Sequence, residues 1–114
     1  MKDKNIVLLE GRIGEDYKYG KTQDGKEFAT FSLVIAATNH EYKDQDELNR
    51  PTTYVRVFAF DKRQIEYLRK VKARSGYRAS VFGRLNSSRT EHKGISIMSN
   101  NVVVRDIHII KTQE

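Results

Sequence analysis

Between Glu27 and Thr38 every second side chain is apolar on one parity: Ala29, Phe31, Leu33, Ile35 and Ala37. In an extended backbone successive side chains point to opposite faces, so this spacing makes a single apolar face. The segment is therefore expected to be a long strand with that face in the core. A strand of this kind is not stable alone and calls for partner strands.

The rest of the chain supplies them. Asn5 to Gly14 is a short aliphatic run followed by alternation and closed by glycine, and Gly11 and Gly14 mark a bulge or sharp bend. Asp24-Gly25 is the strongest hairpin signal, expected to join two antiparallel strands through a type I′ turn. Asn39 to Thr52, which holds the only proline, Pro51, reads as a polar loop, and Thr53 to Phe60 returns to strand character. Asp61 to Ala73 fits a helix with Asp61 as N-cap, Ile65, Leu68 and Lys72 along one side, and Ser75-Gly76 as the stop. Tyr77 to Leu85 and Gly94 to Ile110 complete the strands, the second interrupted near Asn100-Asn101, with a basic polar loop from Asn86 to Lys93 between them. Three strands, one helix and two strands is the order of an all-β, five-stranded Greek-key OB-fold barrel, the helix lying between the third and fourth strands.

At 114 residues there is room for one hydrophobic core, so residues 1–114 are read as a single domain. The absence of cysteine excludes disulfides and thiolate metal sites and leans toward a reducing compartment. Met1-Lys2-Asp3-Lys4-Asn5 lacks a signal-peptide layout, and no apolar run approaches the roughly 20 residues that cross a bilayer. A cytoplasmic protein without a membrane partner is expected.

The net charge of +6 is unevenly distributed. Residues 61–93 hold ten Lys/Arg against three Asp/Glu, while residues 1–60 hold nine against ten. Such a concentration of positive groups raises the local anion concentration and favours a polyanion such as nucleic acid; on charge alone, a solvated basic surface with no partner is an equal reading.

Tyr54-Val55-Arg56-Val57-Phe58-Ala59-Phe60 sorts into two chemically different faces. Val55, Val57 and Ala59 form an aliphatic face, and Tyr54, Arg56, Phe58 and Phe60 an aromatic and cationic one. Flat π surfaces beside a guanidinium are what unpaired bases and their phosphates require. The competing reading packs some of these rings, Phe58 above all, under the helix or in a subunit contact. An unpaired buried guanidinium is costly, so the face that carries Arg56 must meet solvent, a carboxylate or a phosphate. Lys43 beside Tyr42, and Arg84, Arg89 and Lys93 further on, could track a nucleic-acid backbone; taken singly each reads as a surface solubiliser, and it is their location at both ends of the Tyr54 to Phe60 segment that favours the backbone reading.

Catalysis fails on residue supply, and neither cofactor nor small-molecule substrate is expected. His40, His92 and His108 have no metal-ligand spacing. Gly20-Lys21-Thr22 resembles the end of a phosphate loop, but the motif needs glycine where Glu15 stands, so the segment reads as turn. Asp44, Asp46 and Glu47 have no evident buried partner and read as solvated rather than catalytic.

From Asn5 to about Ile110 the chain resembles the bacterial single-stranded-DNA-binding proteins. The resemblance is carried by Asn5 to Gly14, Asp16, Thr22 to Gly25, Ala29 to Leu33, Tyr42-Lys43-Asp44, Tyr54 to Phe60, Glu66 to Lys70 and Val81 to Leu85. It implies that Tyr42, Tyr54 and Phe60 stack bases, that Arg56 contacts the strand, and that the chain forms a homo-oligomer, a tetramer or a dimer. Val34 to Thr38 makes the second strand longer than is usual in the family, and no aromatic stands near Thr90, where a further stacking ring is expected. The sequence stops at Glu114 before the linker and acidic-hydrophobic tip many relatives carry, as in a tail-less member or a shortened chain. In size it also resembles the primosomal replication-restart proteins, which share the fold. The expected function is sequence-tolerant binding of single-stranded DNA in replication, repair or recombination. The alternatives are a primosome-like OB-fold adaptor that mainly holds a protein partner, and an RNA binder, since stacking and charge do not read the sugar.

Overall fold

The computed structural model describes residues 2–37 and 51–111. Among these the strands are β1 (Val7–Ile13), β2 (Lys18–Lys21), β3 (Glu27–Ala36), β4 (Thr52–Ala59), β5 (Arg78–His92) and β6 (Ile95–Ile110), with helix α1 (Lys62–Lys70) between β4 and β5. Neighbours run β1-β5-β6-β4-β3-β2, and a further pairing of β1 with β3 closes five of the strands into a ring. All pairings are antiparallel except β4 with β6, where Val57 faces Val102. This is the connectivity of the OB fold, with the helix between the third and fourth strands of the ring.

The expected core parity holds on β3, where Ala29, Phe31 and Leu33 are fully buried and Ile35 packs at the edge of the core. Val57 and Ala59 of β4, Ala79 and Val81 of β5, and Val102, Val104, Ile107 and Ile109 of β6 fill the same interior. On β6 the buried parity changes between Val104 and Ile107, because a bulge adds one unpaired residue, Arg105, to β6 opposite the Phe82/Gly83 step of β5. The interruption expected near Asn100-Asn101 is thus displaced to Arg105, and the strand runs unbroken through the asparagines.

Helix α1 plugs one end of the ring with Ile65 and Leu68. Asp61 caps it as expected, its side chain accepting from the Arg63 N–H at 2.9 Å. Polar side chains of α1 also bind the backbone of β6: Gln64 Oε1 accepts from the Ile107 N–H at 3.1 Å and the Tyr67 hydroxyl from that of Ile109 at 2.9 Å. The helix stops earlier than Ser75-Gly76. Lys72 takes φ 56°, the Ala73 N–H reaches back to the Leu68 carbonyl at 3.0 Å, and that of Lys72 to Arg69 at 3.1 Å. This is a Schellman end with lysine where glycine is usual.

Turn chemistry departs from expectation in two places. At Asp24-Gly25 only the glycine has positive φ, 87°, and its N–H donates to the Thr22 carbonyl at 3.0 Å, so the hairpin turns through three residues rather than a two-residue type I′ loop. Gly20 and Lys21, read as turn, belong to β2. The type I′ turn stands instead at Lys93-Gly94, with φ values of 53° and 78° between the paired His92 and Ile95. Consequently Asn86 to Lys93 is not a loop: through His92 it is the outer half of β5, paired residue for residue with β6 in an exposed two-stranded arm.

Candidate nucleic-acid interface

Strand β4 presents the two faces that its alternation demands. Tyr54 is 70% exposed and Phe60 47%, while Val57 and Ala59 have no accessible surface. Tyr54 lies in β4 and Phe60 directly follows its last residue, six positions on and about 20 Å away at the usual rise. Phe58 is half-buried. Its ring is not under the helix: it stacks on Phe60 at 5.8 Å between centroids and 9° between planes.

A third ring extends this surface. Phe28 of β3 packs against Phe58 at 6.0 Å and Phe60 at 5.8 Å. It lies over Gly20, where a Cβ would come within 2.7 Å of the ring. Sequence reading missed Phe28, although its parity, opposite to that of Ala29 and Phe31, was a usable signal.

Between the two aromatic ends sits Arg56, opposite Ser32 in the ladder. Its Nη2 lies 3.1 Å from Asp16 Oδ2, and both side chains are 38% exposed. Asp16 stands in the turn between β1 and β2, where Oδ1 accepts from the Ser32 N–H at 2.8 Å and Oδ2 from the Ser32 hydroxyl at 2.7 Å. Burial raises its carboxyl pKa, but the Ser32 hydrogen bonds and the Arg56 charge outweigh that and hold it below the usual value. Arg56 thus meets both solvent and a carboxylate. Beside it a cleft of about 560 Å³ is lined by Arg12, Asp16, Ser32, Val34 and Tyr54.

The other expected cations separate. Arg84 is exposed on the outer face of β5, opposite Val103, which itself neighbours Phe58. Arg89 lies five residues along an unbulged ladder and so on the opposite face. The two side chains therefore point to opposite faces of the β5–β6 ladder. Lys93 occupies the tip of the arm. Tyr42 and Lys43 lie outside the described residues. Register brings in cations that sequence reading missed: Arg12 opposite Val34, Lys18 opposite Thr30, and Lys26 and Lys62 around Phe60.

Tyr17 and Tyr19 serve the fold. Tyr17 stacks on buried Phe31 at 5.7 Å, and its hydroxyl lies 2.9 Å from that of Tyr19. Burial and that hydrogen bond push the Tyr17 phenol pKa well above its ordinary value, so it stays neutral. Arg69 covers the Tyr19 ring at 4.4 Å and binds Glu27 through both terminal guanidinium nitrogens, Nη1 and Nη2. Among the described residues no three His, Asp or Glu side chains cluster as metal ligands.

Comparison with known proteins adds an independent line. The model of the single-strand binding protein family matches residues 4–110. Among solved structures, a Plasmodium falciparum SSB in complex with ssDNA superposes with a TM-score of 0.76 at 23% identity, covering 99% of this chain and 98% of that one. The Saccharomyces cerevisiae mitochondrial single-stranded DNA binding protein Rim1 gives 0.73 at 19% identity, covering 98% and 100%.

Proposed function

This chain belongs to the single-strand binding protein family, and from that premise we propose that it binds single-stranded DNA on the outer face of β4, by stacking bases and neutralising phosphates. The observation that carries the reading is the exposure of Tyr54 on β4 and of Phe60 directly after it, while the other face of that strand is the core. A solvent-exposed ring gains on covering a base, typically about 1–3 kcal/mol per base, and the gain does not depend on which base it is. Arg56 and Arg84 serve the phosphates, with Arg12, Lys18, Lys26 and Lys62 around them. Tyr42, Lys43 and Arg89 complete the proposed set, Arg89 from the far face of the arm.

In this reading the protein acts as a binder rather than a catalyst, in DNA replication, repair or recombination, and in a cytoplasm. We also propose that copies of the chain associate. Among the described residues β1 pairs on one side only from Val7 to Glu10. Leu8, 71% exposed, stands there beside Phe82 of β5, and an open strand edge with apolar neighbours suits a second strand.

Titration of fluorescent oligo-dT at several salt concentrations, with light scattering on the same samples, tests both statements. Tight binding that weakens steeply with salt, carried by a species heavier than one chain, is expected. Equal or tighter binding to duplex DNA contradicts the first statement, and a monomer at all concentrations the second.

A further inference from the structure

The Arg56–Asp16 pair is hard to explain as a stabilising device. Both partners are more than a third exposed, and ion pairs in such settings contribute little to folding. Asp16 is nonetheless held firmly, by the Ser32 N–H and hydroxyl. It also lies on the wall of the cleft beside Tyr54, where an incoming strand would pass. A fixed carboxylate in that position repels a phosphate and occupies the guanidinium that would receive it.

Resting on the DNA-binding reading above, we propose that Asp16 is a built-in competitor for the nucleic acid: its carboxylate holds Arg56 in the free protein, and a phosphate must take Arg56 from it. The phosphate presents the same chemistry as the carboxylate, oxygen acceptors for a guanidinium fork, so one anion can replace the other on the same N–H groups. The exchange makes Arg56 a weaker and more readily released anchor than its charge alone implies. Asp16 is thus an affinity-setting residue that reaches the strand through Arg56.

Asp16→Asn removes the charge while keeping an acceptor for Ser32. With oligo-dT as probe, the variant is expected to bind about two- to fivefold more tightly at low salt, the range of an exposed ion pair. Its plot of log affinity against log salt should steepen by about 0.7, one further phosphate neutralised on a single strand. Dissociation should slow in proportion. Arg56→Gln and the double variant separate this from a general charge effect: the tightening must vanish when Arg56 is absent, whereas Glu91→Gln on the arm should leave affinity nearly unchanged. Weaker binding by a folded Asp16→Asn protein, or tightening that survives Arg56→Gln, overturns the proposal. If Asp16→Asn does not fold, a crystal structure of the wild-type protein with oligo-dT decides, since Arg56 must then lie on a phosphate, and an intact Arg56–Asp16 pair overturns the idea. Failure of the wild-type protein to bind oligo-dT at all would instead remove the parent reading.

Discussion

Phe58 of β4 and Phe60, which directly follows the strand, stack nearly parallel, their planes 9° apart. Residues two apart on a strand share a face and repeat about every 6.6 Å, so two flat rings at that spacing form a short stack with one outer side still open. Phe28 props the pair from β3, and Gly20 leaves the space that the Phe28 ring fills. The platform is thus built across three strands.

Gly20→Ala tests that support. Its Cβ would press on the Phe28 ring, which packs against Phe58 and Phe60. A few-fold loss of oligo-dT affinity with a small drop in melting temperature is expected, read by fluorescence titration and circular dichroism. Unchanged affinity would show that the orientation of the stack does not matter.

Lys72→Gly should stabilise the fold. Lysine at φ 56° carries a steric cost that glycine lacks, and the gain is about 1 kcal/mol after allowing for the greater freedom of glycine in the unfolded chain. A melting temperature a few degrees higher is the expected readout. No change would mean that the lysine side chain contributes as much as the strain removes.

Arg84→Gln and Arg89→Gln remove equal charge from opposite faces of β5. The Arg84 change should weaken binding and reduce the salt slope by about 0.7, while the Arg89 change has the smaller effect. Equal effects would mean that the strand wraps both faces of the arm.

Acid sensitivity follows from Asp16. Its pKa is lowered in the folded state, so its contribution to stability is present above the unfolded carboxyl value and is lost as pH falls through the folded value. Wild-type melting temperature should therefore decline below about pH 4, and Asp16→Asn should flatten part of that decline. Parallel curves for the two proteins would contradict the assignment.

Much of this was legible in the sequence, because alternation is a local property. Val57 and Ala59 face inward and Tyr54 and Phe60 outward for a reason visible in seven consecutive residues. Arg12 and Lys18 could not be placed in the same way, since their approach to Tyr54 and Phe58 depends on the register of β1 and β2 against β3. The arm was misread for a different reason. Residues 87–92 are polar and exposed on both faces, so no apolar periodicity marks them, and only the ladder and the Lys93-Gly94 turn make them a strand. Lys72 carries no turn signal at all. The helix end there is dictated by backbone hydrogen bonds rather than by residue type.

The central claim is that bases lie against the rings of β4. Oligo-dT binding by Tyr54→Ala and Phe60→Ala, each checked for folding by circular dichroism, tests it most directly. Each change should weaken binding by roughly 5- to 150-fold, the equivalent of about 1–3 kcal/mol for one stacked base, with an unaltered spectrum. Wild-type affinity in both folded variants would contradict it.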